Sequence, residues 1–133
     1  MSIVQKILEA LNAWSADKGV VEQMILFGSI ARGDANQDSD IDIAILYRSE
    51  AISGESTDLV REFIELQTEP DTWVDDLEAQ LGRKVSLHGW YFSQQLGQSN
   101  ADLAWTSIFE GLKAPVATIG KAVAIITPPK SPN

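Results

Sequence analysis

The sequence has no cysteine. Disulfides, zinc–thiolate sites and thiol catalysis are therefore excluded. Positive charge is scarce: 10 Lys+Arg stand against 19 Asp+Glu, a formal charge of −9 at pH 7. Such a surface repels phosphate over most of its area, so sequence-independent binding to DNA or RNA is not expected. Long apolar runs are missing too. A membrane span needs about 18 consecutive apolar residues, and none occurs. The opening stretch, MSIVQKILEALNAW, lacks the basic start, apolar block and small-residue cleavage site of a signal peptide. The expected compartment is the cytosol.

What is present is the composition of an ordinary globular protein, 44% hydrophobic and 22% charged over 133 residues. That length suits one domain, expected over residues 1–127, with PPKSPN at 128–133 as a disordered tail.

Ile3, Ile7, Leu11 and Trp14 fall at helical spacing, with Ser2 and Gln5 placed as a capping box. This helix is expected to end near Asp17, with Gly19 beyond it. Val20 to Phe27 reads as a buried strand, and Arg32 to Ser39 as a polar loop. In Asp40 to Tyr47, Ile41, Ile43, Ile45 and Tyr47 alternate with Asp40, Asp42, Ala44 and Leu46. Strand side chains alternate faces, so the first set packs on helices while Asp40 and Asp42 emerge together on the other face.

Ser49 to Ser56 is expected as a loop, followed by helices over Thr57–Gln67 and from Trp73 to Leu81, separated at Pro70 and closed by Gly82. Arg83–Tyr91 reads as a strand, Ala101–Glu110 as a helix and Lys121–Thr127 as a last strand. The order implies an α+β (mixed α/β) fold, a small mixed sheet with helices packed on one face.

Chemistry concentrates in Leu26–Ala44, LFGSIARGDANQDSDIDIA. A strand ends at Gly28, where the missing Cβ lets a ligand approach the backbone. Ser29 offers a hydroxyl and a backbone N–H at the start of a short helical turn, a placement that suits phosphate. Arg32 adds a permanently charged donor fork. Asp40 and Asp42 follow, two carboxylates on one face of a strand. They repel one another unless a hard cation lies between them, and Mg²⁺ favours carboxylates completed by phosphate oxygens and water. Taken singly, a Gly-Ser is a turn, an Asp-x-Asp a solvated strand start and an arginine a surface charge. Their joint order and spacing suit phosphoryl or nucleotidyl transfer.

Gly28-Ser29, ten intervening residues and Asp40-x-Asp42, preceded by LF and containing ARG, resemble the signature of the DNA polymerase β nucleotidyltransferase superfamily. The short length points to its minimal nucleotidyltransferase branch. The resemblance implies that Gly28 and Ser29 hold a nucleoside triphosphate, ATP or another NTP, and that Asp40 and Asp42 bind Mg²⁺ or Mn²⁺. It implies transfer of a nucleoside monophosphate to a hydroxyl. Minimal members often pair with a helical HEPN-domain protein as the antitoxin of a toxin–antitoxin system, so such a partner or a homo-oligomer is expected.

The family's pattern places a third carboxylate on the next sheet strand, where this chain has Ser86 within Gly82-Arg83-Lys84-Val85-Ser86-Leu87. Serine is a poor base and a weak ligand. His88, two residues on, is either an auxiliary base or a structural histidine. Asp34 and Asp38 are loop acids, either near the site or solvated. Among the aromatics, Trp73 and Trp105 are expected in the core, and one of Trp90 and Tyr91 is expected to face outward. The competing reading is a catalytically weakened nucleotide-binding or partner-neutralising protein.

Overall fold

Alternation along Ile41–Tyr47 decides how the protein is layered. In the computed structural model, which describes residues 2–68, 70–92 and 114–126, Ile41, Ile43, Ile45 and Tyr47 are fully buried against helices. Ala44 and Leu46 point the other way and join Ile25, Phe27, Val123 and Ile125 in a second, smaller apolar cluster made only of strand residues. The strand is therefore apolar on both faces through its middle. Only its first turn of alternation, at Asp42, exposes a polar group.

The elements run α1 (Ile3–Ser15), β1 (Val21–Phe27), α2 (Ser29–Arg32), β2 (Ile41–Tyr47), α3 (Ser49–Ser53), α4 (Thr57–Thr68), α5 (Pro70–Leu81), β3 (Val85–Phe92), β4 (Ala114–Ile119) and β5 (Ala122–Ile126). The five strands form one sheet in the order β3-β2-β1-β5-β4. β2 is antiparallel to β1 and parallel to β3, β5 is parallel to β1, and β4 closes the far edge antiparallel to β5. The sheet is mixed, and residues from each of the helices α1 to α5 pack in the large cluster on one of its faces, as expected from the sequence.

α1 begins as its sequence dictates: the Ser2 hydroxyl accepts from Gln5 N at 3.1 Å. It buries Ile7, Leu8 and Leu11, each worth about 1.5–3 kcal/mol when fully removed from water. Its end differs from expectation. α1 stops at Ser15 with a right-handed cap residue, and Gly19 is not in the left-handed region. Lys18 closes the helix instead: its N–H donates to Ser15 O and its ammonium to Trp14 O at 2.8 Å. A cation on the last carbonyls does the work of a C′ glycine.

Gly82 does take the left-handed conformation at the end of α5 (φ 68°). Trp73 is in the core, its indole N–H donating to Leu66 O at 3.0 Å, with its ring 4.9 Å from that of Trp14. Two parts of the chain depart from the sequence reading. Ser49–Ser53, expected as a loop, is a short helix. β4 lies where the sequence reading places no element; it pairs with β5 across a tight turn at Gly120 (φ 55°). The expected helix at Ala101–Glu110, with Trp105, and the tail at 128–133 lie outside the described residues.

Candidate nucleotidyl-transfer site

The site is assembled where β1 ends and β2 begins. In the antiparallel register Phe27 faces Asp42, so the residue after Phe27 passes over the Asp42 side chain. That residue is Gly28, with φ 83° and ψ −157°, a conformation that L side chains avoid. A Cβ built there would lie 3.0 Å from Asp42 Cγ and collide with its Oδ2. The glycine is thus required twice, by its backbone angles and by the carboxylate beneath it.

Gly28 opens α2, a single turn held by Arg32 N donating to Gly28 O and by Gly33 N and Asp34 N donating to Ser29 O, all at 3.0–3.1 Å. Gly33 ends it in the left-handed region. No side chain caps the start of α2, and Ser29 is half-buried there. Arg32 is the last residue of α2. Its Nε pairs with Asp34 Oδ2 at 3.2 Å, so its charge is met by its own loop. With the Asp34 side chain 62% exposed the pair is worth at most about 1 kcal/mol, little enough for a phosphate to displace.

Asp40 immediately precedes β2, and Asp42 lies on it; both are half-buried. Ile41 between them is fully buried on the helix side, so Asp42 faces the opposite side. β3 supplies the third position. Its parallel register sets Ser86 directly beside Asp42, which is where the resemblance places the missing acid. Among the described residues no group of three or more His, Cys, Asp or Glu could hold a metal.

His88 lies on β3, but its side chain is outside the described residues, as are those of Trp90 and Tyr91. Asp34 and Asp38 are exposed on the loop.

Sequence reasoning missed Arg83. Its Nη1 donates to Asn36 O at 2.9 Å and to Ser39 O at 3.0 Å, gripping the loop that leads into Asp40. Nothing in the sequence distinguishes a carbonyl-binding arginine from a solvated one.

The donor set at Asp40, Asp42 and Ser86 is all oxygen, two of the three groups are charged, and the backbone of Gly28 lies against Asp42 with no Cβ between them. These residues suit a hard divalent cation. Residues 4–104 match the family described as the nucleotidyltransferase domain. The chain belongs to that family. No curated protein and no solved structure gives a match. The matched stretch of this nucleotidyltransferase domain runs from α1 past β3 and includes the whole Gly28–Asp42 site, while β4 and β5 lie beyond it. Membership places the chain in the polymerase β superfamily, in its minimal branch, a family of transferases that generally use a nucleoside triphosphate and a divalent metal. Among the described residues no helix is long and apolar enough to cross a membrane.

Proposed function

We propose that this nucleotidyltransferase domain moves a nucleoside monophosphate, AMP from ATP, onto a hydroxyl of a partner protein or small molecule. The observation that carries the reading is Gly28 packed over Asp42, a glycine without which the carboxylate would be covered. Asp40 and Asp42 would hold Mg²⁺ or Mn²⁺, which when bound neutralises triphosphate charge. Ser29 would donate to a phosphate oxygen, and Arg32 would leave Asp34 to do the same. The acceptor oxygen attacks the α-phosphorus, the bond to the β-phosphate oxygen breaks, and pyrophosphate departs with that electron pair. The hydroxyl proton passes to solvent, because Ser86 is no base at neutral pH.

Ser86 beside Asp42 also favours a second reading: the site binds nucleotide with little turnover, and the protein neutralises a partner by contact. In either case a protein partner would be a helical HEPN-type protein, the toxin of a toxin–antitoxin pair, or a second copy of the chain, in the cytosol. Exposed Asp58, Glu65, Asp75 and Asp76 on α4 and α5 suit a basic docking surface.

The test is incubation with α-labelled ATP and Mg²⁺ or Mn²⁺, with and without the product of the adjacent gene. Transfer of label that disappears in Asp42→Asn supports the enzyme. A stable complex with cation-dependent ATP binding and no transfer supports the second reading. Absence of cation-dependent ATP binding defeats both.

A further inference from the structure

The two site carboxylates differ in how they are held. Asp42 is fixed inside the sheet, between Phe27 and Ser86. Asp40 precedes the strand and depends on the loop before it. That loop is folded on itself: Asp38 N donates to Asn36 Oδ1 at 2.8 Å, Asn36 N to Ser39 Oγ at 2.9 Å, and Ser39 N to Asn36 O at 3.2 Å. Such a turn is a local unit with no inherent position relative to the sheet.

The tie comes from the α5–β3 junction. Arg83 follows the left-handed Gly82 and spends two N–H bonds of Nη1 on the carbonyls of Asn36 and Ser39. Lys84 O accepts from Ile41 N at 2.8 Å, next to Asp40. The junction is itself anchored by Glu78, whose carbonyl accepts from Gly82 N and whose Oε2 accepts from Val85 N, both at 2.8 Å.

We infer that Arg83 is a positioning residue: its guanidinium sets the loop 36–39 on the end of α5 and so holds Asp40 in place beside Asp42 for the divalent cation. It acts on backbone carbonyls and does not itself meet nucleotide. The same junction delivers Ser86, so one anchor sets the loop before Asp40 and the strand beside Asp42. The inference rests on the metal-dependent reading proposed for this site.

The experiment compares the wild type with Arg83→Met, which keeps the aliphatic stem and removes the donors, and with Arg61→Ala, which removes the same charge from an exposed position on α4. ATP binding is measured by calorimetry across a Mn²⁺ titration, well below the melting temperature. Arg83→Met is expected to need about tenfold more Mn²⁺ for half-maximal ATP binding, in the range seen when outer partners of metal ligands are removed. Arg61→Ala is expected to match wild type. Metal-free hydrogen exchange of Arg83→Met is expected to quicken at residues 36–41 and not in β1. Arg83→Lys, which retains a shorter donor, is expected to fall between.

An unchanged Mn²⁺ requirement in Arg83→Met overturns the inference while leaving the function standing. No cation-dependent binding in wild type overturns the function instead, and the exchange measurement then still decides whether Arg83 holds the loop. Should Arg83→Met not fold, Arg83→Lys decides: a wild-type Mn²⁺ requirement there overturns the inference, and a raised one with unchanged melting temperature upholds it.

Discussion

Single residues set the chemistry here through what they omit. At Gly28 the omitted Cβ lets the backbone lie against Asp42, where a side chain would be both strained and in collision. Gly28→Ala is therefore expected to cost about 1–3 kcal/mol through its φ alone, and to lower cation-dependent ATP affinity more than tenfold by displacing the carboxylate. Thermal unfolding read beside calorimetry separates the two losses. Ser86 omits a carboxylate at the strand position beside Asp42, where the family resemblance implies an acid. Tyr47 is a different case. Burial pushes its phenol up to about 12, with the Gln67 side chain acting in the opposite sense. The folded state keeps the proton to higher pH than the unfolded chain does. The associated stability is complete below pH 10 and is lost as pH rises towards 12. Tyr47→Phe should keep the edge-on contact with Phe63 and flatten the decline between pH 10 and 12, as measured by urea unfolding at several pH values.

At the level of elements, the sheet's two halves were unequally legible. β1 and β2 announced themselves by apolar content and by the alternation of Ile41, Ile43, Ile45 and Tyr47. β4 did not, because Pro115 and Gly120 break up a short stretch and the pairing that makes it a strand comes from β5. Its neighbour β5 enters the sheet parallel to β1, a contact separated by about a hundred residues that no local pattern encodes. α3 is five residues long, too short to show a helical period. The site followed the same division. Gly28, Ser29, Asp40 and Asp42 lie within one segment and could be read together, whereas Arg83 acts across 44 and 47 positions. What fixes the β4–β5 hairpin is likewise distant. Lys121 donates through Nζ to Ser15 O and Lys18 O, and through its backbone N–H to Asn12 Oδ1, each at 3.0 Å. A cation on the carbonyls that end α1 also meets the negative end of that helix. Lys121→Met is expected to remove about 1.5–3 kcal/mol. The midpoint of urea unfolding should fall with the slope unchanged, and cation-dependent ATP binding should survive, because no residue of the latch belongs to the site.

For the whole molecule, the charge of −9 gains a local meaning. Asp34, Asp38, Asp40 and Asp42 fall within nine residues, and Arg32 beside them is engaged by Asp34. A cluster of that sign works against folding when no cation is bound, and against a triphosphate most of all. The stability of the fold and the function of the site therefore pull in opposite directions at Asp40. Asp40→Asn removes one of the like charges beside Asp42, so in chelator it should melt slightly higher than wild type, by about 2 °C for a gain near 0.5 kcal/mol. Divalent cation should reverse the order. Mn²⁺ held by the folded wild type is expected to raise its melting temperature with concentration, whereas Asp40→Asn, left with one carboxylate, should respond little. Melting curves for the two proteins would then cross as Mn²⁺ is added. Parallel curves would mean that the acids at 40 and 42 share no cation, and that the surplus of negative charge serves the surface alone.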